Sequence, residues 1–174
     1  MQTIALMGLR GSGKSTVGPA VAAGLGMPFR DLDPLVLAWN RLDTVREVVD
    51  AQGWPAFRAL ELGALDRVLK ESACVLALGG GTPTHTPSRE LLEIYQSSAS
   101  LRIIYLRAQP DTLASRLTPS DDRPSLTGMD AVQEVADVFQ ERDPLYAKLA
   151  DSIVECDGLS IDDQVEAVLS VAKP

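Results

Sequence analysis

The run Gly8-Leu9-Arg10-Gly11-Ser12-Gly13-Lys14-Ser15 sets three glycines, a lysine and a hydroxyl in one short stretch. Glycine tolerates positive φ and lets a ligand approach the backbone closely. A loop of this kind turns its N–H groups inward as an anion nest, and a helix starting near Lys14 adds the positive end of its dipole. The Lys14 amine can then reach the outer phosphates of a nucleoside triphosphate, and the Ser15 hydroxyl can ligate Mg²⁺. The run matches the Walker A pattern in full, between an apolar strand-like segment and an apolar helical one. A ligand-free strand-to-helix turn would need one or two of these glycines and has no use for the Lys-Ser pair.

Other residues suit chemistry beside such a site. Asp31 and Asp33 are two apart at the end of a strand-like run. That spacing points both side chains to one face, into a crevice at the strand end; the pair could instead cap a helix that follows Pro34. Arg58 and Glu61 stand three apart on a helical stretch, as a guanidinium held by its partner or as a plain surface pair. Gly79, Gly80 and Gly81 in succession are costly in backbone entropy. Close approach of a ligand to backbone N–H groups explains that cost, and a tight turn is the plainer alternative. The polar segment 118–128 has the length of a functional loop and carries Arg123, with Arg116 just before it.

These residues need a frame. Apolar, nearly continuous runs at 3–7, 28–31, 74–78, 101–106 and 152–156 read as parallel strands covered on both faces. Helical patterns at 14–25, 44–52, 56–69, 88–96, 110–117, 131–149 and 161–171 alternate with them. The alternation predicts an α/β domain with a five-stranded parallel sheet. Residues 33–67 form a long helical excursion, of the kind that builds a substrate pocket over strand ends. Within it, Trp39 and Trp54 either line a pocket wall or pack a helix face. Pro19 predicts a small kink in the first helix.

The 174 residues suit one domain, and 45% hydrophobic content with dispersed charge excludes a disordered chain. A net charge of −8 argues against nucleic acid or an anionic membrane as partner. An acidic protein that binds an anionic nucleotide must gather positive charge locally. Twelve of its sixteen basic residues are Arg, the side chain suited to bidentate capture of phosphate and carboxylate. No leader pattern opens the chain, and no apolar run approaches a membrane span, so the expectation is a cytoplasmic protein. Cys74 and Cys156, each in an apolar run, read as buried thiols.

Taken together, GLRGSGKSTVG at 8–18, Phe29-Arg30-Asp31-Leu32-Asp33, Phe57-Arg58 with Glu61, Leu78-Gly79-Gly80-Gly81, Arg123-Pro124 with Leu126, and Arg142 with Tyr146 resemble the shikimate kinases. The resemblance runs in order over nearly the whole chain. It implies a single kinase domain, 1–174, with the nucleoside monophosphate kinase type of three-layer sandwich. A substrate insert would lie at about 33–67 and a lid at about 118–128. It implies Mg-ATP as phosphoryl donor and the shikimate 3-hydroxyl as acceptor, on the chorismate route to aromatic amino acids. Gly11, Ser12, Gly13, Lys14, Ser15, Thr16, Arg116 and Arg123 would bind ATP. Ser15 and, through water, Asp31 would hold Mg²⁺. Asp33, Arg58, Gly79, Gly80, Gly81 and Arg142 would bind shikimate, the two arginines taking its carboxylate. Lys14, Asp33 and the lid's Arg123 would be catalytic, with Asp33 a candidate proton acceptor. The lid would close when both ligands are bound. No nucleic acid or membrane is implied, and the protein would act as a monomer. A gluconate kinase, a nucleoside monophosphate kinase and a catalytically silent ATP-binding module are the alternatives. His85, the one histidine, has no assigned duty.

Overall fold

The computed structural model describes residues 2–117 and 131–172. Among these residues five strands form one sheet: β1 (Thr3–Met7), β2 (Phe29–Asp31), β3 (Val75–Ala77), β4 (Leu101–Arg107) and β5 (Ser152–Glu155). Their order is β2-β3-β1-β4-β5 and every pairing is parallel. Among the described residues seven α-helices flank the sheet: α1 (Lys14–Leu25), α2 (Leu32–Asn40), α3 (Val45–Lys70), α4 (Thr86–Ser97), α5 (Pro110–Arg116), α6 (Ala131–Leu149) and α7 (Ile161–Ala172). All five expected strands are present, most of them trimmed by a residue or more. The five residues of β1 are all buried, as a continuous apolar run between two helical layers requires. On one side α1 packs against α7, and elsewhere α4 packs against α3. Cys74 and Cys156 are buried free thiols, as expected. Among the described residues no helix is long and apolar enough to cross a membrane.

The strand order places the site. From β1 the chain crosses β3 to reach β2; from β3 it crosses β1 to reach β4. Right-handed crossovers in opposite directions lie on opposite faces, so a crevice opens beyond the carboxyl ends of β1 and β3. The P-loop leaves β1 and the glycine run leaves β3, which brings both to this crevice, with Asp31 at the end of neighbouring β2.

Two local readings change. Asp31 and Asp33 do not share a strand face. Asp31 ends β2 and caps α2, its side chain accepting from Asp33 N at 3.4 Å, while Asp33 lies in the first turn of α2. Helix α2 falls at the start of the helical excursion expected at 33–67, and the alternative reading, a cap on a helix there, holds for Asp31. The long α3 is one helix in outline, yet Gly53 takes φ 80°, ψ 170° inside it. That break agrees with the two shorter helices expected at 44–52 and 56–69. Helix α1 runs on through Pro19 without interruption.

Candidate active site

The P-loop has the geometry its glycines permit. Gly11 and Gly13 hold φ of 82° and 97°, a region that favours glycine. The Lys14 ammonium is drawn across the loop, donating to Gly8 O at 2.8 Å, Leu9 O at 3.0 Å and Ser12 Oγ at 3.3 Å. Arg116 Nη1 donates to Gly11 O at 3.3 Å, so a second cation stands at the loop's outer side. Ser15 Oγ donates to Asp31 Oδ2 at 2.5 Å, which joins the start of α1 to the end of β2. A hydroxyl and a carboxylate in contact beside a phosphate loop are a suitable oxygen set for Mg²⁺, which usually takes one or two carboxylates, substrate phosphates and water.

The acceptor side is built around the glycine run. A Cβ at Gly79 would collide with Glu61 Oε1 and stand 2.8 Å from Asp33 Oδ1 and 2.9 Å from Thr82 Oγ1. A Cβ at Gly81 would collide with the Arg58 guanidinium. Two of the three glycines are therefore required by the protein's own polar side chains, which rest on the backbone there. Arg58 Nη1 donates to Glu61 Oε2 at 2.7 Å, and Thr82 Oγ1 donates to Glu61 Oε1 at 2.7 Å. Glu61 is 0% exposed. A fully buried carboxylate with both oxygens engaged is a fixed support for Arg58 and not a surface pair. Thr82 carried no signal in the sequence beyond following the glycines.

Aromatic rings complete the support of Arg58. Its guanidinium carbon lies 5.2 Å from the Trp54 ring centre and 5.7 Å from that of Phe57, with the two rings edge to face at 6.1 Å. Trp54 is packed against the core and meets the site through Arg58. Trp39 packs elsewhere, under Arg67 at 4.2 Å. On the far side of the glycine run Arg142 Nη1 donates to Gly80 O at 3.1 Å, and Tyr146 Oη donates to the same oxygen. Burial pushes the Tyr146 phenol up to about 12, partly offset by the positive charge of Arg142. Arg142 Nε is buried and has no hydrogen-bond partner among the described residues. His85 pairs with Ser88 at the start of α4, apart from these groups.

A cleft of about 830 Å³ links the two sides. The P-loop, Asp31, Asp33, Thr44 and Arg116 line it, as does a wall formed by Leu159, Ser160, Ile161 and Gln164. That wall went unread in the sequence, because Ser160 and Asp163 there look like an ordinary helix start. Of the expected site residues, Gly11, Gly13, Lys14, Ser15, Thr16, Asp31, Asp33, Gly80 and Arg116 line this cleft, Ser12 lies against Lys14, and Arg58, Gly79, Gly81 and Arg142 gather at the glycine run beside Gly80, outside the lining. Arg123 and the segment 118–128 lie outside the described residues.

Comparison with known proteins agrees with this geometry. The family model described as shikimate kinase matches residues 10–173. The chain is 38% identical to shikimate kinase 2 of Yersinia pestis over 157 residues, covering 88% of this chain and 86% of that protein. Its structure matches that of a shikimate kinase from Acinetobacter baumannii in complex with shikimate at a TM-score of 0.89 and 29% identity, over 99% of this chain and 93% of that one. A gluconokinase from Sinorhizobium meliloti matches at a TM-score of 0.55 and 18% identity, over 97% of this chain and 90% of that one, a likeness of fold alone. A family match over almost the full length, relatives of this identity and a sheet of the same architecture place the chain in the shikimate kinase family.

Proposed function

We propose that the protein transfers the γ-phosphoryl group of Mg-ATP to the 3-hydroxyl of shikimate. The observation that carries this reading is the convergence of two arginines on one short glycine run. Arg58 rests over Gly81 on the buried Glu61, and Arg142 is bound to Gly80 O. Asp33 stands beside Gly79 in the same crevice. Shikimate offers one carboxylate for the arginines and ring hydroxyls for Asp33. The P-loop faces the same cleft, so donor and acceptor can meet in line.

Phosphoryl transfer asks the protein chiefly for position and charge. Lys14, released from its loop carbonyls, would neutralise the β- and γ-phosphates. Arg116 beside Gly11 would favour the nucleotide at the loop's outer side. Asp33 would orient the acceptor hydroxyl and take its proton. Ser15 and, through water, Asp31 would hold Mg²⁺, which when bound would offset the negative charge of the phosphates. Arg123 keeps the role the resemblance gives it, charge carried in by a lid. The reading includes a cytoplasmic monomer with no nucleic-acid or membrane partner, in keeping with the net charge of −8.

The test is a coupled ADP-release assay with shikimate, gluconate, AMP or no acceptor. Stimulation by shikimate alone is the expected result. Stimulation by another acceptor and not by shikimate would overturn the acceptor assignment. No stimulation by any acceptor would favour a silent ATP-binding module.

A further inference from the structure

We infer that Asp143, clamped by Tyr105 and Arg107, is a positioning residue that sets how Arg142 meets the acceptor carboxylate; this rests on the reading of Arg142 given above. Asp143 accepts from Tyr105 Oη at 2.9 Å, Arg107 Nε at 2.8 Å and Arg107 Nη2 at 2.7 Å. Both donors belong to β4, the strand next to β1. Arg107 also lies 5.8 Å from the ring of Phe139, one turn before Asp143 on α6. It therefore grips two successive turns of one helix face.

The adjacent face of α6 carries Arg142 and Tyr146, also one turn apart, and both donate to Gly80 O. The Tyr105 ring meets Tyr146 edge to face at 5.5 Å, so one buried side chain touches both faces of the arrangement. Helical hydrogen bonding is weakest at this turn. Pro144 has no N–H to give the Gln140 carbonyl, so tertiary contacts decide the rotation of the helix there. The bidentate Arg107–Asp143 pair, only 14% exposed on the Asp side, is such a contact. Without it α6 can turn about its axis, and Arg142 leaves the geometry that a forked carboxylate contact needs.

The experiment compares Asp143→Ala, Asp143→Asn, Tyr105→Phe and Arg142→Ala with the parent chain. It measures KM for shikimate, for shikimate methyl ester and for ATP, with thermal melts alongside. Asp143→Ala should raise the shikimate KM about tenfold and leave the ATP KM within about twofold. The ester, which has no carboxylate to fork, should change little, so discrimination between the two acceptors shrinks. Asp143→Asn should fall between, and Tyr105→Phe, which leaves the Arg107 clamp in place, should be mildest. An unchanged shikimate KM in Asp143→Ala, or an equal rise for acid and ester, would overturn the inference if Arg142→Ala raises the shikimate KM selectively. If Arg142→Ala does not raise it, the carboxylate reading itself fails, and the inference with it. Should Asp143→Ala melt below the assay temperature, an acid-selective rise in KM for a folded Tyr105→Phe decides for the inference, and its absence against.

Discussion

Ser15 and Asp31 are separated by sixteen positions in the chain, yet Ser15 Oγ donates to Asp31 Oδ2 at 2.5 Å. The contact ties the P-loop helix to the end of β2 and pairs the two groups proposed to hold Mg²⁺. Asp31→Asn keeps the size of the side chain and removes its charge. It should raise the Mg²⁺ concentration for half-maximal activity about tenfold, as loss of a ligand-orienting carboxylate typically does. A magnesium titration of turnover at saturating ATP checks this. An unchanged half-saturation point would remove Asp31 from the metal's surroundings.

Lys14 bridges Gly8 O, Leu9 O and Ser12 Oγ, so its loss acts on the loop as well as on the phosphates. Lys14→Ala should lower kcat by a factor on the order of 10²–10³, the usual scale for removing one preorganised charge or donor at a reacting centre. The shikimate KM should hardly move. Steady-state kinetics separates the two, and a large shift in shikimate KM with kcat intact would contradict the assignment.

Arg58 has two duties that a double variant can separate. Arg58→Ala should raise the shikimate KM and also destabilise the fold by about 3 kcal/mol, because Glu61 would be left buried and charged without its cation. Adding Glu61→Gln should recover much of the stability and none of the shikimate affinity. Denaturant melts and kinetics on the same proteins test this. A double variant that regained affinity would show that Arg58 does not touch the acceptor.

The P-loop is legible in the sequence, because a Walker A pattern compresses its chemistry into consecutive residues, whereas the cleft wall of Leu159, Ser160, Ile161 and Gln164 is not. The strands were legible as continuous apolar runs, and Gly53 marked the break in α3. What stayed hidden depends on distant partners. Thr82 acquires its role only from Glu61, and Asp143 only from Tyr105 and Arg107 on β4. Asp33 reads equally as a strand-end or a helix-start residue, because a helix that begins at once after a three-residue strand leaves only Pro34 to mark the boundary. The glycine run was located correctly, but the groups that need its missing Cβ atoms at Gly79 and Gly81 are the protein's own side chains.

Alkaline stability follows from four buried acids, the thiols of Cys74 and Cys156 and the phenols of Tyr105 and Tyr146, all raised by burial. Burial raises the Cys156 thiol from 9.0 to about 11 and the Tyr146 phenol from 10.0 to about 12. Each raised value means that the unfolded chain gives up its proton first. Stability from Cys156 is full below pH 9 and is lost as pH rises from 9.0 toward about 11; Tyr146 adds a second loss from 10.0 toward about 12. The melting temperature should therefore fall on this limb, and Cys156→Ala should flatten its earlier part. An equally steep limb in Cys156→Ala would show that another group drives it.

The most direct test of the central claim is identification of the product by ³¹P and ¹H NMR after incubation with Mg-ATP and shikimate. The proposed function predicts shikimate 3-phosphate and ADP in equal amounts, and no phosphorylated product in the Lys14→Ala protein over the same interval. Phosphate on a different hydroxyl, or ADP and inorganic phosphate with shikimate unchanged, would contradict it.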